Sequence, residues 1–241
     1  MTEAIPAQLL DVWERGVVEP PYVRALRLLC LALPDHTPDT LAGWGLGRRD
    51  DALLRVREAW FGETLNAVAN CPACGTRLEL NFRTADIRAP FAENELPPVQ
   101  CEVQGERYDV RLRPLNTHDL MAAAVNPNRE ALMHRCIIEA RQNGELFDQS
   151  LPPEVVAICV RALAECDPQS DVQLALTCPD CGHIWEALFD IAAYLWREVE
   201  SWAQRTVREV HLLASRYGWT EGEILGLSAA RRRLYLEMVT G

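Results

Sequence analysis

Cys71-Pro72-Ala73-Cys74-Gly75 and Cys178-Pro179-Asp180-Cys181-Gly182 are one five-residue device written twice, about a hundred residues apart. Each sets two thiols at CxxC spacing with a glycine directly after. Together they offer four sulfurs for a closed tetrahedral zinc site: Cys71, Cys74, Cys178 and Cys181. Proline fixes φ in the knuckle turn, and glycine permits the left-handed backbone that aims N–H groups at sulfur. Four thiolates leave no position open for a substrate, so the pattern predicts one structural Zn2+ rather than a catalytic metal. A redox role is the competing use of the motif, because one CxxC pair alone can cycle as a disulfide. Two glycine-followed knuckles on hairpins fit zinc better.

The flanks of both knuckles alternate as strands do. Residues 64–69 lead into the first and 77–82 lead out; 171–177 and 183–189 repeat this around the second. Leu174, Leu176, Ile184 and Leu188 are the apolar members of the second pair. The reading is strand, metal turn, strand, twice over, which makes a split, zinc-ribbon-like pair of β-hairpins. The insert between them opens with a Pro- and Glu-rich connector at 90–98, then a hairpin of 99–103 and 107–113 turned at Gln104-Gly105. Helices are predicted over 117–124, 129–142 and 153–166, with Asn116 or Thr117 capping the first and Pro152-Pro153 opening the last. Closing a loop this long costs about 4–5 kcal/mol. Structural zinc supplies about 10–16 kcal/mol in finger peptides. Metal binding outweighs closure, so zinc loss is expected to disorganise the insert as well as the ribbon.

Upstream, residues 1–62 read as helical: 6–14 with Leu9, Leu10 and Trp13 on one side, 21–33 after Pro20, and 50–60 ended by Gly62. The glycines of GWGLGRRD at 43–50 have neither the preceding strand nor the Lys-Ser/Thr of a phosphate loop. They read as a flexible connection between helices. Downstream, apolar residues recur at 195, 199, 202, 206, 210, 213 and 217, which predicts one helix over 191–217, with Trp196 and His211 off the stripe. Either an internal core or a partner accounts for a helix of that length. Gly218 ends it, Thr220 and Glu223 form a capping box, and Ser228 caps a last helix. The predicted fold is α+β, mainly α-helical, in five segments: 1–62, 63–83, 84–170, 171–190 and 191–241.

The chain has 241 residues, 49% of them apolar, enough for a real core. No apolar run nears the roughly 20 residues of a membrane span, and Met1-Thr2-Glu3-Ala4 lacks the basic start of an export signal. The expectation is a soluble, unexported, cytoplasmic protein with no membrane partner. The five cysteines outside the knuckles (Cys30, Cys101, Cys136, Cys159, Cys166) are scattered and read as free thiols. All the cations are arginine, as a GC-rich coding sequence gives, and the net charge is −11. That acidity argues against general nucleic-acid binding. A zinc-ribbon regulator of nucleic acid is still the alternative reading, with Arg77, Arg83, Arg88 and Arg231–Arg233 as its basic face. No catalytic set assembles: His118 with Asp119 and His134 with Cys136 lack a third orienting group, and His183 sits beside a metal shell that four thiols already fill. The chain is expected not to be an enzyme.

Three stretches carry a resemblance: ALMHRCIIEAR (131–141), DVQLALTCPDCGHIWEALFDIAAYLW (171–196) and YGWTEGEILGLSAARRRLYLEMV (217–239). With the helical start, the first knuckle and the long helix, the chain resembles the T-even-type bacteriophage baseplate protein family, whose relatives occur in phage tail clusters and phage-tail-like contractile injection systems. The resemblance covers most of the chain and is strongest from about residue 131. It implies a non-enzymatic component or assembly factor of a baseplate or its hub, with other baseplate and tail proteins as partners and a place in the assembled tail particle. Zinc rests on ligand spacing alone, within one chain or between two.

Overall fold

The computed structural model describes residues 5–93 and 96–240. The readings of Met1–Ala4 and of residues 94 and 95 in the connector fall outside the described residues. In chain order the elements are helices α1 (Ile5–Gly16), α2 (Pro21–Ala32), α3 (Pro38–Ala42) and α4 (Leu46–Phe61), then strands β1 (Thr64–Asn70) and β2 (Arg77–Arg83). Next come β3 (Val99–Val103), β4 (Glu106–Leu112), α5 (Thr117–Val125), α6 (Arg129–Cys136), β5 (Ile137–Gln142), β6 (Glu145–Leu146) and α7 (Pro153–Cys166). The second knuckle joins β7 (Gln173–Thr177) to β8 (Ile184–Leu188), and α8 (Ile191–Tyr217), α9 (Glu221–Leu225) and α10 (Ala229–Thr240) finish the chain. The class is α+β, with 54% helix against 20% strand and small antiparallel sheets.

Two compact units emerge, Thr37–Ile191 and Met1–His36 with Ala192–Gly241. In the first, β3, β4, β5 and β6 lie side by side in that order, and the knuckle hairpins β1-β2 and β7-β8 are separate two-stranded sheets. The four-stranded sheet buries Val99, Tyr108, Val110 and Leu112 against Val155 and Cys159 of α7 and Cys136 of α6. Its other face carries Gln100, Glu102, Arg107 and Arg111, all exposed, as a water-facing sheet requires.

Two readings are corrected in this unit. The helix expected over 129–142 stops at Cys136, and Ile137–Gln142 is a strand paired with β4. Two consecutive β-branched residues, Ile137 and Ile138, stiffen the backbone there, and a free edge of β4 supplies the hydrogen bonds. Helix α4 begins at Leu46, with Gly45 at its N-cap and Gly47 in its first turn, so the glycine string is not a flexible link. A Cβ on Gly47 would lie 2.0 Å from Asp167 Oδ1, and one on Gly45 2.7 Å from Pro114 Cγ. These glycines serve close packing. Asp167, 120 residues on, accepts the Gly47 N–H at 3.2 Å and caps the helix from afar. Trp185 and Ala187 of β8, with Phe189 just after it, are half-buried, leaving Ile184 72% and Leu188 65% exposed.

In the second unit the expected stripe of α8 holds at Leu195, Val199, Thr206 and Leu213, all buried. Trp196, expected off that stripe, is buried too: a Cβ on Gly16 would meet its ring, and the Arg24 guanidinium lies over that ring at 4.8 Å. Leu10 of α1, Ala203 of α8 and Leu225 of α9 close a small core with Trp13, Trp202 and Val210. The Thr220–Glu223 capping box forms as read. No described helix is long and apolar enough to cross a membrane.

Candidate metal centre

Both knuckles fold by the same hydrogen bonds. Cys71 N–H donates to Thr76 O at 2.8 Å and Gly75 N–H to Cys71 O at 2.9 Å; Cys178 N–H donates to His183 O at 2.8 Å and Gly182 N–H to Cys178 O at 3.0 Å. Gly75 and Gly182 take φ of +79° and +72°, the left-handed region for which the sequence supplies glycine. Each turn thereby points its two sulfurs the same way, off the tip of a hairpin.

The structure brings the two tips together. The four sulfurs all lie within 4.8 Å of one another. Cys71 Sγ is 3.7 Å from Cys181 Sγ, across 110 residues, and Cys74 Sγ is 3.6 Å from Cys178 Sγ, across 104. Cys71 and Cys178 are buried while Cys74 and Cys181 are exposed, so one ligand of each knuckle faces inward and one outward. Thr76 Oγ1 donates to Asp180 Oδ2 at 2.7 Å and ties the tips a second time. At the far end, the Phe82 and Phe189 rings meet edge to face at 5.6 Å. Held at both ends, the hairpins turn their alternate side chains toward each other.

Thiols packed this closely give up protons unevenly. The Thr76 hydroxyl, and then its backbone N–H, draw the Cys74 thiol down to about 6. The His183 amide pulls at Cys181, but the neighbouring sulfurs of Cys74, Cys178 and Cys71, with lost hydration, outweigh it and push that thiol up to about 12. Four thiolates in one cage repel, and a cation at the centre relieves that repulsion. Such a donor set can hold a metal ion.

The remaining candidates do not converge. The His183 ring stacks on Trp185 at 6.0 Å and stays exposed. His118 faces Asp39 at 3.5 Å, apart from its sequence neighbour Asp119, which is buried and accepts from Arg113 and Arg135. Cys136 and Cys159 are buried, and burial pushes each thiol up to about 11, the inert end of the cysteine range. Within the basic face proposed for nucleic acid, Arg83 pairs with Glu63, and Arg88 with Asp51 and Glu58. What sequence reasoning missed is the Asp167 staple. Besides Gly47 it accepts the Ala92 N–H at 3.2 Å, while neighbouring Gln169 accepts the Ala89 N–H at 2.7 Å. A lone Asp before Pro168 gave no periodic signal.

Comparison with curated proteins returns no match, and comparison with solved structures returns none. Comparison with protein families does. Residues 45–196 match the family described as T4 bacteriophage base plate protein. That span opens on the first turn of α4, takes in both knuckles and the whole four-stranded sheet, and closes at Trp196 in α8. It is well over half of the sequence, and on it the chain belongs to the T4 bacteriophage base plate protein family.

Proposed function

We propose that this baseplate-family protein is a non-enzymatic structural or assembly component, stapled by one zinc ion on Cys71, Cys74, Cys178 and Cys181. The carrying observation is the two cross-tip sulfur distances of 3.7 and 3.6 Å. A tetrahedron of sulfurs at about 2.3 Å from zinc has edges of about 3.8 Å. The all-sulfur donor set selects a soft or borderline ion over magnesium or calcium. Paired hairpins tipped by such knuckles are the plan of a split zinc ribbon. Four protein ligands fill the shell, which supports a structural metal and no metal-centred reaction.

The test has two arms. Protein purified without added metal should carry about one zinc per chain by plasma mass spectrometry, and Cys71→Ser and Cys178→Ser should each lose stoichiometric metal. Expressed with its own tail genes, the chain should co-purify with other tail proteins; recovery as a free monomer at every assembly stage would overturn the baseplate role. Full metal occupancy in either serine variant would overturn the shared site.

A further inference from the structure

The solvent side of α8 and the adjoining turn of α10 carry a group of guanidiniums that the fold leaves unused. Several arginines of residues 37–191 pair with carboxylates, for example Arg55 with Asp51, Arg88 with Glu58, and Arg113 and Arg135 with Asp119. On the outer face of α8, Arg205, Arg208 and Arg216 are exposed, and among the described residues none of them is in an ion pair. Arg205 reaches as far as Ser201 Oγ at 3.2 Å. Positions 205, 208, 212 and 216 fall on one side of a helix, over about 16 Å. Leu212, in their midst, is 39% exposed.

Helix α10 is tied to α8 by an ion pair, Arg232 Nε to Glu209 Oε2 at 2.8 Å, and by the Tyr235 ring, edge to face on Tyr217 at 5.7 Å. That pair uses the carboxylate nearest the α8 arginines. Arg231 and Arg233, on opposite sides of α10, are exposed and make no ion pair among the described residues. Arg232 itself is 8% exposed, and its Nη1 has no hydrogen-bond partner. Along α10, Leu234 and Met238 continue from Arg231 at helical spacing and are 55% and 70% exposed. Nearly the whole excess of carboxylate over arginine in the chain lies within residues 37–191. Between residues 201 and 220 Glu209 is the only carboxylate, and Arg232 holds it.

We propose that this face of α8 and α10 docks an acidic amphipathic helix of another tail protein, its carboxylates on the arginines and an apolar stripe on Leu212, Leu234 and Met238. Charge complementarity selects an acidic partner. The interleaved leucines and methionine select protein over nucleic acid, since phosphate contacts gain nothing from them, and Arg and Met are enriched at the centres of protein interfaces. The proposal rests on the baseplate role and adds the partner's chemistry to it.

The experiment places a photo-crosslinking side chain at Leu212 of the full-length chain, expressed with its complete tail gene cluster, and identifies the linked peptide by mass spectrometry. The expected product is a segment of a different tail protein with Asp or Glu at i, i+3 or i+4 along an apolar stripe. Arg208→Glu with Arg216→Glu should cut that crosslink at least tenfold while circular dichroism shows the chain still folded, and Lys at the partner's carboxylates should restore it. Crosslinks to nucleic acid, to a neutral or basic segment or to a second copy of this chain would overturn the proposal, as would no crosslink from a chain that is present in tails. Absence of the chain from every tail assembly would instead overturn the baseplate role, and this docking face with it.

Discussion

Gly47 and Gly75 are the same residue put to opposite uses. At Gly47 the backbone is ordinary helix and the space is taken, with Asp167 Oδ1 at 2.0 Å from an added Cβ. At Gly75 nothing lies within 4 Å, and φ of +79° alone demands glycine. Gly47→Ala should lower stability by about 1–3 kcal/mol in a denaturant melt, with metal content unchanged. Gly75→Ala should cost about 1–2 kcal/mol through the left-handed turn and should weaken metal binding. Gly222→Ala, in open helical space, serves as the neutral or slightly stabilising control. Asp50 gives a pH signature. Burial raises its carboxyl to about 6, against the pull of Arg49 and with help from Asp190 and Asp167. Because the folded pKa lies above the unfolded one, this group favours the folded state at low pH, and that contribution is lost as pH rises from about 4 to about 6. Over that window the stability of the natural chain should fall relative to Asp50→Asn with a slope of about 1.4 kcal/mol per pH unit at most. Equal slopes in the two proteins, followed by urea melts, would remove Asp50 from the account.

The elements show what the sequence could and could not disclose. Helix α8 was legible to the residue, because 27 residues of unbroken periodicity leave a strand no place. The knuckle hairpins were legible because cysteine, proline and glycine each have one mechanical reason to stand where they do. The Arg129–Gln142 stretch was not, since Met133, Cys136, Ile137 and Ala140 satisfy a helical spacing and the strand partner that overrides it lies in β4. In the second knuckle hairpin the alternation does not say which face turns inward, and it is Trp185 with Phe189 that is half-buried while Ile184 and Leu188 are exposed. Both hairpin faces offered apolar residues, and the larger aromatic surface won. Helix α5 supplies a test at this scale. Asp119 is wholly buried, bonded to Arg113 and Arg135 and to the Asn116 N–H, and those bonds hold its carboxyl below the usual range despite desolvation. Asp119→Ala strands two guanidiniums and removes half of a capping box. It should cost roughly 3–5 kcal/mol, seen as a lower midpoint in thermal melts.

For the whole molecule, the structure narrows one expectation. The insert has its own core around Val110, Leu112, Val155 and Cys159, and Asp167 and Gln169 pin its end to α4 and to residues 89–92 without help from sulfur. Chelation should therefore strip hydrogen-exchange protection from β1, β2, β7 and β8 first, while the amides of β4 keep theirs until global unfolding. Simultaneous loss in both regions would show that the metal governs the insert as well. The separation of the two knuckles also has a consequence in time. Cys71 and Cys74 leave the ribosome about a hundred codons before Cys178 and Cys181, an interval of about 5–20 s at ordinary rates of elongation. Throughout it the nascent chain presents half a chelator, too weak to retain an ion and open to oxidants. On the proposed shared site, metal capture would fall late in biosynthesis, when the second hairpin is out, and would mark those copies whose intervening hundred residues have already folded well enough to bring the halves together.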